Sequence, residues 1–275
     1  MLELYQQIQE AVEQIRKVWS GKPKAGIILG TGLGSLVEQI EVEAALDYES
    51  IPNFPKSTAI SHKGRLVCGN LNGLPVVAME GRFHLYEGYS LKQITLPVRV
   101  MRALGADLLV LSNACGGMNP YFRCGDIMLI EDQINLMGDN PLIGINDDRL
   151  GPRFPDMSQP YRHDLIERAL EVARSENIRT HQGVFVAVSG PNLETRAEYR
   201  FLRQIGADVV GMSTVPETIV AVHCGMRVIG FSVITDMCLA DALEEADVSA
   251  IIKTAQEAEP KLTKLVTGVL AQEAP

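Results

Sequence analysis

The 275-residue chain carries a net charge of −9, a pI near 5.1 and a hydrophobic fraction of 46%. That acidity argues against a polyanionic partner such as DNA or RNA, so any anion site must be local. No stretch approaches the ~18 consecutive apolar residues of a membrane span, and the five cysteines form no CxxC or Cys/His pattern, so neither zinc nor a disulfide framework is indicated and a cytoplasmic location is expected.

The first 20 residues place Leu4, Ile8, Val12, Ile15 and Trp19 at helical spacing, with Gly21 and Pro23 as a stop. No basic, apolar and small-residue series marks them as a leader. A strand is expected at 25–29, then a pair at 65–70 and 74–79 around Asn72-Gly73, and strands near 107–112, 183–188 and 227–235. Helices fit near 92–104, 161–176, 195–205 and 214–225, with a long one from about 248 that Pro260 should kink or split. Residues 137–160 are rich in Gly, Pro, Asn and Asp and too long for a plain connection. The alternation predicts a single α/β domain over 1–275, with a mixed, mostly parallel central sheet.

Four predicted strands end in small or polar residues: Gly30-Thr31-Gly32, Asn113-Ala114-Cys115-Gly116-Gly117, Ser189-Gly190-Pro191-Asn192 with Glu194 beyond, and Thr235-Asp236. Ligands of α/β sheets sit outside that carboxyl edge. Turn chemistry alone explains any one of these ends; four of them, two carrying a carboxylate, favour a site.

The loop GTGLGS at 30–35 lacks the third glycine of the dinucleotide fingerprint and the Lys of a P-loop. It could still wrap a small anion with backbone N–H groups and the Thr31 hydroxyl, although by itself it reads as a structural turn before an anion site. Further on, Arg82, His84 and Tyr86 alternate after an apolar run, and in extended chain they would share one side. His62 lies beside another glycine in SHKGRL. In GMSTVPETIV, Thr214 and Glu217 fit a capping box with Pro216 in the first turn, which would leave the Ser213 hydroxyl free at a positive helix end.

Together GTGLG, SHKGRL, GRFHLYEGY, SNACGGMNP, GPNLETRAEYR, GADVVGMSTVPE and SVITD, spread over residues 25–236, resemble the trimeric purine nucleoside phosphorylases. The resemblance implies reversible phosphorolysis, in which inorganic phosphate displaces a purine from C1′ of a ribonucleoside and releases ribose 1-phosphate. Phosphate is then a co-substrate, and no metal or organic cofactor is implied. By motif, phosphate would meet Thr31, Arg82, His84, the Ala114 backbone and Ser213, with His62 nearby. Ribose would lie against Tyr86 and Met212, with Phe154 contributed by a neighbouring subunit of a homotrimer. The base would be held by Glu194 and Asp236, along a wall of Leu193, Val210 and Gly211.

Two features depart from that family. Asp236 stands where enzymes for 6-oxopurines commonly have Asn; an ionised carboxylate would accept from a 6-amino group, and a protonated one could assist N7. The expectation is a raised-pKa acid at Asp236 and a gain for 6-aminopurines, while Glu194 suits N1–H of a 6-oxopurine. No histidine follows His223, where relatives place one near ribose O5′; Glu245 or a neighbour stands there. Methylthioadenosine phosphorylase or an adenosine-accepting phosphorylase is therefore the alternative. A nucleoside hydrolase, a non-catalytic nucleoside-binding protein and acyl transfer through Cys115 rank far behind.

Overall fold

The structure, a computed structural model, describes residues 2–30, 34–58 and 63–273. Helix α1 (Leu2–Arg16) buries Leu4, Ile8, Ala11 and Ile15 along one stripe. Strands β1 (Ala25–Ile28), β2 (Glu41–Asp47), β3 (Arg65–Leu71) and β4 (Leu74–Glu80) follow, and Asn72 and Gly73 take the positive φ that a tight hairpin between β3 and β4 needs. Then come α2 (Leu91–Leu104), β5 (Leu108–Gly117), β6 (Ile127–Leu136), α3 (His163–Ser175) and β7 (Thr180–Val188). The chain ends with α4 (Arg196–Gln204), β8 (Val209–Gly211), α5 (Val215–His223), β9 (Arg227–Met237) and α6 (Val248–Ala271).

These strands form one mixed sheet in the order β2-β3-β4-β1-β5-β8-β7-β6-β9, and β9 returns to pair with β5. Strands β5, β8, β7, β6 and β9 thus close on themselves, a partial barrel that removes their edges. Strand β5 is the seam between this ring and the open part. Its residues Leu108, Leu109, Val110 and Leu111 are buried, and truncating one such leucine to alanine costs about 2–5 kcal/mol.

Several sequence expectations need correction. NACGG is not a turn: β5 runs on through Gly117, because Gly116 and Gly117 pair with Val210 and Val209 of β8 as well as with β9. Likewise β9 extends to Met237. Helix α6 is continuous across Pro260; burial of Ala255, Ala258, Leu262, Leu265 and Val266 outweighs one missing backbone hydrogen bond. Three strands lay outside the sequence reading. Strand β2 is mostly exposed with a weak apolar pattern, β6 turns polar halfway, and β8 is only three residues long.

Candidate active site

Ends of β1, β4, β5, β8 and β9 converge on one cavity of about 190 Å³. Arg82, His84, Tyr86, Ala114, Leu193, Glu194, Val210, Gly211, Met212, Ser213 and Asp236 all line it, as the motifs implied. Thr31 and His62 lie outside the described residues. Phe154 does not reach this cavity: it is 86% exposed and lines a separate groove with Arg153, Pro155 and Met157. Glu245 belongs to an adjoining cavity, whereas Ile251 of α6 forms part of the main wall.

At one end Arg82 is buried just after β4. Its guanidinium donates to the Ser213 hydroxyl at 2.9 Å, the Thr214 hydroxyl at 3.1 Å and the Ile28 carbonyl at 3.2 Å, and also to the Ser112 carbonyl. The Glu217 carboxylate stands 3.5 Å away and is equally buried. Burial pushes the Arg82 guanidinium down and Glu217 draws it back up. The predicted capping box is therefore absent. Thr214 occupies the N-cap of α5 without a side-chain cap bond, and its hydroxyl accepts from Arg82 and from Asn113 Nδ2 at 2.9 Å. Glu217 turns inward because a buried guanidinium needs a counter-charge more than the helix needs a cap. Thr214 takes φ of 73°, costly for a β-branched residue by about 1–3 kcal/mol. Ser213 is consequently engaged by Arg82 and not free, and its hydroxyl also lies 3.2 Å from that of Thr214.

Beyond His84 the chain leaves the extended conformation. Residues Leu85–Glu87 form a short 3-10 turn that lays the Tyr86 ring on the imidazole, with centroids 4.6 Å apart. Glu87 accepts from the His84 backbone at 2.8 Å, and His84 Nδ1 lies 3.0 Å from the same Oε1. The carboxylate thus fixes the ring. Glu87 also accepts from the Thr58 N–H and hydroxyl. Ser35 N–H donates to Glu259 of α6.

Glu194 and Asp236 face the other end. Glu194 immediately precedes α4, whose start is held by a reciprocal box between Thr195 and Glu198. Burial raises the Glu194 carboxyl, and the charges of Glu198 and Asp236 add to this against a hydrogen bond from Tyr199. Asp236 follows a bulge in β9: Cys115 pairs with Ile234 but Gly116 pairs with Asp236, leaving Thr235 as the extra residue. Bulges re-aim side chains beside active sites, and this one turns the carboxylate into the cavity. Burial pushes the Cys115 thiol well above its ordinary range, and Sγ donates to the Val233 carbonyl, surroundings that favour a thiol over a thiolate.

A family model for the phosphorylase superfamily matches residues 24–271. Purine nucleoside phosphorylase 1 of Bacillus subtilis is 49% identical over 265 residues, covering 96% of this chain and 98% of the relative. The purine nucleoside phosphorylase of Rattus norvegicus is 47% identical over 270 residues, covering 96% and 93%. Among solved structures, isoform 2 of the Schistosoma mansoni purine nucleoside phosphorylase, in complex with cytosine and ribose-1-phosphate, superposes with a TM-score of 0.93 at 39% identity, covering 98% and 96%. A schistosoma purine nucleoside phosphorylase in complex with hypoxanthine gives 0.90 at 37%, covering 96% of both chains. The chain belongs to the phosphorylase superfamily, among its purine nucleoside phosphorylases.

Arg99 and His223, buried and 3.2 Å apart between α2 and α5, were not read from the sequence as a pair. Glu87, which holds His84, and Tyr199 and Cys238, which line the cavity, were not read from the sequence as site residues, and Glu217 was read only as a cap. The spacing of Glu87 three residues after His84 was a signal for the first.

Proposed function

We propose that this enzyme phosphorolyses purine ribonucleosides with phosphate bound by Thr31, Arg82, His84, the Ala114 backbone and Ser213, assisted by His62, and with the base held by Glu194 and Asp236. One observation carries this assignment: a single cavity is lined by a buried guanidinium bonded to a serine, by an imidazole and by two carboxylates. Glycosidic cleavage builds positive charge at C1′ and negative charge on the departing purine. Phosphate immobilised beside C1′ is both the aligned nucleophile and the counter-charge to the ribosyl cation. The C1′–N9 bond breaks, its electron pair leaves on the base, and a phosphate oxygen forms the new C1′–O bond.

Tyr86 and Met212 flank the ribose in this reading. An ionised Glu194 accepts from N1–H and a 2-amino group. Asp236 contacts the C6–N7 edge, accepting from a 6-amino group when ionised. Phe154 serves the neighbouring subunit of a homotrimer, which accounts for a phenylalanine that is 86% exposed in its own chain.

A second reading is favoured by Ile251. This apolar side chain occupies the cavity wall, and no histidine follows His223, so a 5′-methylthio group would be tolerated in place of a 5′-hydroxyl. Release of free base from inosine, guanosine, adenosine and methylthioadenosine, each with and without phosphate, tests both readings. Turnover that depends on phosphate is expected. Release that proceeds equally without phosphate would overturn the assignment, and a lead for methylthioadenosine would select the second reading.

A further inference from the structure

Asp236 is held from two sides. The Thr235 hydroxyl lies 2.8 Å from Oδ1, and the Cys238 thiol lies 3.1 Å from Oδ2. The two donors are not equivalent. Thr235 has a single proton, and the Cys115 carbonyl, 3.2 Å from the same hydroxyl, competes for it. The Cys238 thiol has the carboxylate as its acceptor, and its backbone is fixed by a 2.7 Å hydrogen bond from its N–H to the Gly117 carbonyl.

The opposite strand is shaped around this sulfur. A Cβ placed on Gly116 would meet Cys238 Sγ at 2.5 Å, so any side chain at 116 would displace the thiol. Cys238 is only 3% exposed, and burial together with the Asp236 charge keeps it a protonated donor instead of a thiolate.

We infer that Cys238, seated over Gly116, is the positioning residue that fixes the plane of Asp236 and thereby sets the discrimination between 6-amino and 6-oxo purines. The inference rests on the reading of Asp236 as a base contact. A carboxylate offers about four lone-pair directions. With the thiol occupying one on Oδ2, rotation is blocked, and the free lone pairs are presented to the base as acceptors. Such a wall rewards a 6-amino group and opposes O6. Without the thiol, the carboxylate can turn away, and the opposition to O6 weakens.

The test is the ratio of kcat/KM for adenosine to that for inosine in Cys238→Ala, Cys238→Ser and Gly116→Ala. Because both substrates are read on the same preparation, the ratio is insensitive to partial misfolding. Cys238→Ala should move it toward inosine by at least fivefold, mainly through KM. Cys238→Ser, which retains a donor, should stay within about twofold of the parent. Gly116→Ala should shift the ratio in the same direction as Cys238→Ala. Asp236→Asn is the control for the underlying reading. If it leaves the ratio unchanged, the base contact itself fails. If it shifts the ratio and Cys238→Ala does not, the contact stands and the inference is overturned. Failure of Cys238→Ser to restore the ratio, or absence of adenosine turnover in the parent enzyme, would overturn it as well.

Discussion

His84 Nδ1 sits 3.0 Å from Glu87 Oε1, and the same carboxylate carries two hydrogen bonds from Thr58. One acid therefore orients the imidazole and ties it to the segment leading toward His62. Burial would raise the Glu87 carboxyl, but the bonds from His84 and Thr58 prevail and bring it down to about 2. A depressed carboxyl contributes stability above its unfolded pKa, and that contribution is lost as pH falls through the folded value. Glu87→Gln should therefore be less stable than the parent at neutral pH, with the gap closing between about pH 4.5 and 2. Its KM for phosphate should rise about tenfold, the scale of one charge-assisted hydrogen bond. Denaturation midpoints across that pH range and phosphate titrations check both effects.

Arg82 and Glu217 form a buried pair, and removing one partner strands the other's charge. Arg82→Ala should lose about 3–5 kcal/mol of stability together with most of the phosphorolysis. The double variant Arg82→Ala/Glu217→Gln should recover much of the stability and none of the activity. Thermal melts and phosphate-dependent base release separate the two roles. Activity returning with stability would show that Arg82 is structural only.

Glu194 has a carboxyl raised by burial, with Glu198 and Asp236 adding to the effect. Its ionised form is the one that accepts from N1–H of a 6-oxopurine. The acid limb of the kcat/KM profile for inosine should therefore lie above the ordinary Glu value of 4.5, with activity rising as pH rises through it. Glu194→Gln should remove that limb and lower kcat/KM by a factor on the order of 100. A limb that persists in the variant would assign it to another group.

Phe154 is 86% exposed, so Phe154→Ala should change the stability of the folded chain by less than about 0.5 kcal/mol. Activity should nevertheless fall at least tenfold, with KM for the nucleoside carrying much of the loss. Mixing Phe154→Ala with an inactive Arg82 variant would restore some activity, since a shared boundary can then combine one intact Arg82 with one intact Phe154. Full activity in the single variant would refute the shared site.

Much of the site was legible as residue types because the motifs are local in sequence. Arg82, Ser213 and Asp236 sit at or just beyond the ends of β4, β8 and β9, and His84 and Glu194 lie in the segments that follow β4 and β7, so each was marked by the small or polar residues that close an apolar run. Strand-turn-helix alternation followed from apolar periodicity, which is a property of neighbours along the chain. What the tertiary structure decided are relationships across long separations. Arg82 meets Ser213, Thr214 and Glu217 more than 130 residues away, and this contact converts an apparent capping box into a counter-charge. NACGG becomes strand because β8 and β9 supply its backbone partners. Pro260 lies within an unbroken helix because core contacts outweigh local propensity. The sequence by itself determined which chemical groups are present and that they follow apolar runs. Only the folded structure decided which of them touch, because hydrogen bonds and buried charges are settled by neighbours in space that periodicity along the chain does not reveal.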